Sequence, residues 1–90
     1  MREVISTSRY KKDLKRVLKR GYSKAKMLDL VYLLVSDGIF PHNAKPHMLS
    51  GEWLGFWECH IESDWLLIYD TSHPKSLVLH RTGTHADLFE

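Results

Sequence analysis

One cysteine, Cys59, stands alone in 90 residues, so no intramolecular disulfide can staple the chain. A domain of this size without a staple rests on its core alone, which suits a reducing compartment. No stretch approaches the ~20 apolar residues that a bilayer crossing needs. The first residues, Met1-Arg2-Glu3-Val4-Ile5-Ser6, lack the apolar run of a secretory leader. The expectation is therefore a cytoplasmic protein with no membrane association. Internal repeats and low-complexity linkers are also missing from the sequence, and a chain this short buries only about 60–65% of its unfolded surface around one modest core. Residues 1–90 read as one domain.

The residues that are present describe a packed protein. Hydrophobic residues make up 43% and charged residues 27%, with three Phe, three Trp and four Tyr, which is too apolar for a disordered chain. The net charge of +2 hides a split. Residues 1–50 hold eleven Lys/Arg against four Asp/Glu (+7), and residues 51–90 hold two against seven (−5). Such a division suggests that one surface meets a polyanion while the remainder does something else. Of the six histidines, five (His47, His60, His73, His80 and His85) lie in or beside the acidic half. Histidine is the side chain that most readily exchanges protons near neutral pH.

Glu3-Val4-Ile5-Ser6 reads as a short strand. Ser6, Thr7 or Ser8 then caps a helix that runs to about Arg20 and stops at Gly21. Tyr10, Leu14, Val17 and Leu18 recur at helical spacing and form its apolar stripe. Its polar face carries Arg9, Lys11, Lys12, Lys15, Arg16, Lys19 and Arg20, with Asp13 as the only acid. Seven bases to one acid repel one another, which favours contact with an external polyanion over a merely solvated face.

A second helix spans about Ser23 to Ser36 and ends at Asp37-Gly38. Met27, Leu28, Leu30, Val31, Tyr32, Leu33, Leu34 and Val35 cover more than one stripe, so it should lie against the sheet and its sister helix. Residues 39–50 read as a surface loop. Strands follow at Gly55–Ile61, Trp65–Asp70 and Ser76–Thr82, and Thr84–Glu90 forms a docked turn. The order β-α-α-β-β-β predicts an α+β fold, with two helices packed on one side of an antiparallel sheet.

Alternation along the strands places Phe56, Glu58 and His60 on one face and Trp57, Cys59 and Ile61 on the other; on the last strand it groups Leu77, Leu79 and Arg81 against Val78, His80 and Thr82. In a meander, the segment from Arg81 to His85 returns beside Asp64 and Trp65. The topology thus gathers His60, Asp64, Arg81 and His85 at one edge, with His47 carried over them by the proline-containing loop. Two or three proton carriers beside a fixed cation suit RNA cleavage. That reaction needs a base for the 2′-hydroxyl, an acid for the departing 5′-oxygen and a cation for the phosphoryl oxygens. The 2′-hydroxyl is the nucleophile, so neither cofactor nor metal is required, and an Arg fork suits the phosphate.

Each residue also has an ordinary reading. A strand His is commonly structural, Asp64 suits a hairpin turn, and Trp53, Trp57 and Trp65 read better as core than as base-stacking platforms. A zinc site from His47, His60 and His85 lacks the Cys pair or short His spacing that would support it. Phe89, one turn beyond His85, can brace the site or stack on a base.

Together, His47-Met48-Leu49-Ser50-Gly51-Glu52-Trp53-Leu54-Gly55, the segment His60-Ile61-Glu62-Ser63-Asp64-Trp65-Leu66-Leu67-Ile68-Tyr69 and the segment Arg81-Thr82-Gly83-Thr84-His85-Ala86-Asp87-Leu88-Phe89 resemble the YafQ-type branch of the RelE/ParE toxin superfamily. The resemblance spans essentially the whole chain. It implies a RelE-like, microbial-RNase-like fold, cleavage of mRNA on the translating ribosome, an A-rich target codon and a cognate antitoxin. Catalytic positions carry over onto His47, His60, Asp64, Arg81, His85 and Phe89, with Trp65 in support. The basic helix would contact ribosomal RNA, and DNA would be met only through the antitoxin complex. His85 leads as general acid; Asp64 or His60 is base or tautomer-holding partner. The competing functions are a non-catalytic, ParE-like gyrase inhibitor and a plain RNA- or ribosome-binding module.

Overall fold

The computed structural model describes residues 2–36 and 44–89. Strand β1 (Glu3–Ser6) leads into helix α1 (Ser8–Lys19), followed by α2 (Lys24–Ser36). A two-residue strand β2 (His47–Met48) and a 3-10 turn (Gly51–Trp53) precede the meander of β3 (Trp57–Glu62), β4 (Trp65–Asp70) and β5 (Ser76–Gly83), and α3 (His85–Phe89) closes the chain.

Of the three candidate caps, Thr7 is the one used: its Oγ1 accepts the Tyr10 amide at 3.1 Å and donates to the His80 carbonyl at 3.0 Å, joining the helix start to β5. At the other end Gly21, at φ +97°, takes the left-handed conformation that stops α1 and passes its N–H to the Leu18 carbonyl. The expected stop of α2 at Asp37-Gly38 lies outside the described residues, as does His42.

The five strands run in the order β1-β5-β4-β3-β2. The meander is antiparallel as expected, but β1 pairs with β5 in parallel, so the sheet is mixed. Parallel pairing needs a long crossover, and here both helices and most of the meander supply it. The loop reading of residues 39–50 also needs correcting at His47–Met48. There the backbone pairs with β3, His47 opposite Glu58 and Met48 opposite Trp57; a ladder of two residues has no period for the sequence to display.

Two apolar layers sandwich the sheet. On one face Tyr10 and Val17 of α1 and Met27, Leu30, Leu34 and Val35 of α2 pack on Cys59, Trp65, Leu67, Tyr69, Leu77 and Leu79. On the other, Leu88 of α3 packs with Leu66 and Ile68, backed by Leu49, Trp53 and Phe56. β4 is therefore buried from both sides, and each of its fully covered aliphatic side chains, Leu66, Leu67 and Ile68, contributes about 1.5–3 kcal/mol of burial free energy. Helix α2 covers less than its composition implied: Leu28 and Tyr32 stay exposed, because the sheet and α1 occupy only part of its circumference.

A bulge opposite Ile68 and Tyr69 changes which side chains of β5 share a face. Strict alternation groups Arg81 with Leu77 and Leu79; the extra residue shifts the pattern, so that Thr82 pairs with Leu67 and Arg81 with Ile68. The buried Thr82 hydroxyl then accepts the Trp65 indole N–H at 2.9 Å and donates to the Leu66 carbonyl at 2.7 Å.

Candidate active site

The sheet face turned away from α1 and α2 carries the histidines. His47, Glu58, Ile68 and Arg81 occupy one row of directly paired positions across β2, β3, β4 and β5, and His60, Leu66 and Gly83 occupy the next. Residues in register share a face, so the pairing alone brings His47, Glu58 and His60 together. Glu58 is only 4% exposed. Its Oε1 lies 3.3 Å from His47 Nε2 and 3.9 Å from His60 Nε2, a single buried carboxylate oxygen shared by two imidazoles.

Asp64 sits in the two-residue connection between β3 and β4 and is exposed. One of its oxygens, Oδ1, accepts the backbone N–H of His85 at 3.1 Å and faces His85 Nδ1 at 2.9 Å. The bonds from His85 hold the Asp64 carboxyl below its ordinary range. An ionised carboxylate can only accept, so Nδ1 carries the hydrogen and Nε2 is the atom left for proton exchange. The His85 ring lies 6.2 Å from that of His60 and 6.1 Å from that of Phe89, one helical turn along α3. The proton carriers thus cluster in two groups, His47, Glu58 and His60 in one and His85 with Asp64 in the other, the His60 and His85 rings 6.2 Å apart.

α3 is held by a reciprocal cap. Thr84 Oγ1 accepts the Asp87 amide at 3.2 Å, and Asp87 Oδ2 accepts the Thr84 amide at 3.0 Å. Arg20, just past the end of α1, grips the same carboxylate with Nη1 and Nη2, at 2.7 and 3.0 Å, and drives its pKa far down. Gly83 is required by crowding: a Cβ there would stand 2.8 Å from Asp87 Cβ. Gly83, Thr84 and Asp87 therefore help to fix where His85 projects.

Arg81 is not a free cation. Its Nε and Nη2 bind Asp13 Oδ2 and Oδ1 at 2.6 and 3.0 Å, a bidentate pair that raises the guanidinium pKa. Trp65 lies in the helix-facing layer, fully buried against Tyr22, and reaches this neighbourhood only through Thr82. Among the six basic residues of α1 and its C-cap Arg20, Arg16 is paired with Asp13 and Arg20 with Asp87. Arg9, Lys11, Lys12, Lys15 and Lys19 are exposed and make no ion pair among the described residues.

Sequence reasoning missed three acids. Glu58 carried a signal, since it precedes His60 by two on a strand and so shares its face. Asp13 carried one as well, falling three residues after Tyr10 and four before Val17, on the buried side of α1. Asp87 completes a T-x-x-D capping pattern with Thr84. Among the described residues, no three of His, Cys, Asp and Glu are arranged to hold a metal ion.

Residues 2–90 match the family of bacterial toxins of type II toxin-antitoxin systems called YafQ. The mRNA interferase toxin YafQ of Escherichia coli K12 is 39% identical over 89 residues, covering 98% of this chain and 96% of that protein. The toxin of the E. coli DinJ-YafQ toxin-antitoxin complex superposes with a TM-score of 0.88 at 39% identity, over 99% of this chain and 98% of that one. A metal-bound toxin from Helicobacter pylori superposes with a TM-score of 0.91 at 31% identity, over 99% of this chain and all of that one.

Proposed function

The chain belongs to the YafQ family of bacterial toxins of type II toxin-antitoxin systems, and we propose that it is an endoribonuclease that cuts mRNA on the translating ribosome. In this reading residues 1–90 act as one toxin domain in the cytoplasm and are neutralised by an antitoxin of the kind that DinJ represents in the E. coli complex. DNA is contacted only within the toxin-antitoxin complex.

The observation that carries the proposal is the cluster of proton-exchanging groups formed by His47, Glu58 and His60 on one sheet face with His85 and Asp64 beside them. The reaction is metal-independent acid-base catalysis, with the RNA 2′-hydroxyl as nucleophile. Glu58 orients His60 and His47, and His60 accepts the 2′-hydroxyl proton. His85 delivers a proton from Nε2 to the departing 5′-oxygen while Asp64 holds Nδ1–H. Arg81 meets the charge on the phosphoryl oxygens, Phe89 braces His85 across tilted rings, and Trp65 supports β5 through Thr82. Arg9, Lys11, Lys12, Lys15 and Lys19 contact ribosomal RNA phosphates; Arg16 and Arg20 join them while still tied to their acids.

The test is growth and primer-extension mapping in cells induced for wild type or His85→Ala. The wild type should arrest growth and cut mRNA only under active translation. A folded His85→Ala protein should lose about 100-fold or more of the cutting and permit growth. DNA breaks with intact mRNA would instead indicate gyrase poisoning, and arrest without any cuts would indicate a binding module.

A further inference from the structure

Asp13 is the most heavily bonded carboxylate among the described residues, and the reaction scheme above does not use it. It is 4% exposed although it lies on the basic helix. Its two oxygens accept four hydrogen bonds: Arg81 Nε at 2.6 Å and the Thr82 amide at 3.2 Å on Oδ2, and Arg81 Nη2 at 3.0 Å and Arg16 Nη2 at 2.9 Å on Oδ1. All but one come from two successive residues of β5, the strand that ends in the His85 segment.

We propose that Asp13 is the positioning residue for Arg81: it clamps the Nε/Nη2 edge of the guanidinium and so aims the remaining N–H groups at the phosphate. This rests on the assignment of Arg81 to the phosphoryl oxygens. A guanidinium has five N–H donors in a rigid plane. The two that Asp13 takes fix the plane's orientation; both hydrogens of Nη1 and one of Nη2 stay available. The clamp does not cancel the cation, because Asp13 is shared between Arg81 and Arg16, two positive charges to one negative. Pre-orientation spares the arginine the rotamer freedom it would otherwise lose at the transition state. The same bonds tie α1, the helix that carries the free lysines, to the strand that carries the clamp.

The experiment is steady-state mRNA cleavage on programmed ribosomes by wild type, Asp13→Asn, Arg81→Ala and the double variant, each also followed by thermal melting. An Asn turns an N–H₂ toward the guanidinium and breaks one half of the fork. Asp13→Asn should lower kcat about tenfold with KM unchanged, and should add nothing to the larger loss of Arg81→Ala. Asp13→Glu keeps the charge but displaces the fork; it serves where the Asn variant does not fold, and should show the same kcat loss and the same non-additivity. Losses that multiply in the double variant would mean that Asp13 acts on the fold alone, and would overturn the proposal. Wild-type kcat in Asp13→Asn beside an inactive Arg81→Ala would overturn it while leaving the Arg81 assignment standing. Full activity of Arg81→Ala would overturn both.

Discussion

Replacing Asp64 separates the orienting contact on His85 from the stability of the fold. Asp64 Oδ1 takes two bonds from His85, one from the backbone and one from Nδ1. The two side chains are 60% and 57% exposed, and pairs of that kind contribute little to stability. Asp64→Ala should therefore melt within about 3 °C of wild type. Catalysis is where the loss should fall. In a buried serine-protease triad, holding the imidazole in the wrong tautomer costs about 10⁴ in kcat. Here water can replace part of what the carboxylate does, so the loss should be about 10- to 100-fold. Asp64→Asn keeps an Oδ1 that can accept both bonds, losing only the charge, and should fall between wild type and Asp64→Ala. Because His85 holds the Asp64 pKa below its ordinary value, the carboxylate is ionised from about pH 5 to 8 and the orienting contact is present throughout that range. The assay is single-turnover cleavage on programmed ribosomes across that range. An Asp64→Ala rate within twofold of wild type, or an Asn variant slower than the Ala variant, would refute the orienting role.

Gly83→Ala should push the Asp87 side chain, 2.8 Å from the new Cβ, out of its cap. An overpacking cost of about 1–3 kcal/mol predicts a melting temperature lowered by about 5–15 °C, and mRNA cutting should fall because His85 follows the cap. Asp87 has a depressed pKa, so its stabilising contribution is complete above the unfolded carboxylate value near ~3.9 and is lost as pH falls below it toward the folded pKa. Thermal melts should fall off below about pH 4 in wild type, and Arg20→Gln should flatten that limb; an unchanged limb would mean that the acid sensitivity lies elsewhere. Removal of transition metals from the toxin and the assay with a chelator selective against Mg²⁺ should leave the mRNA cleavage rate unchanged, whereas loss of cutting restored by a transition metal would contradict metal-independent chemistry.

Much of the site was legible because it depends on chain order. Three strands joined by short connections return the segment from Arg81 to His85 to the Ser63-Asp64 turn, and the period of two places His60 on one face of β3, so the grouping of His60, Asp64 and His85 followed from topology. What Arg81 does in the ground state was not legible. Its partner is 68 residues away in sequence, and the β5 bulge that changes its facing leaves no composition signal. The same holds for His47, whose partner Glu58 was set by a two-residue ladder.

From the sequence alone came the α+β class, the two helices, the meander, the basic face of α1 and the list of proton carriers, because periodicity, caps and turn residues are local properties. Only the tertiary structure decided that β1 joins β5 in parallel, that Glu58 is a buried carboxylate between two histidines, and that Asp13, on the buried side of α1, holds Arg81. These outcomes depend on which distant groups meet in a space with little water, where an unpaired charge is costly and a paired one becomes a fixed point.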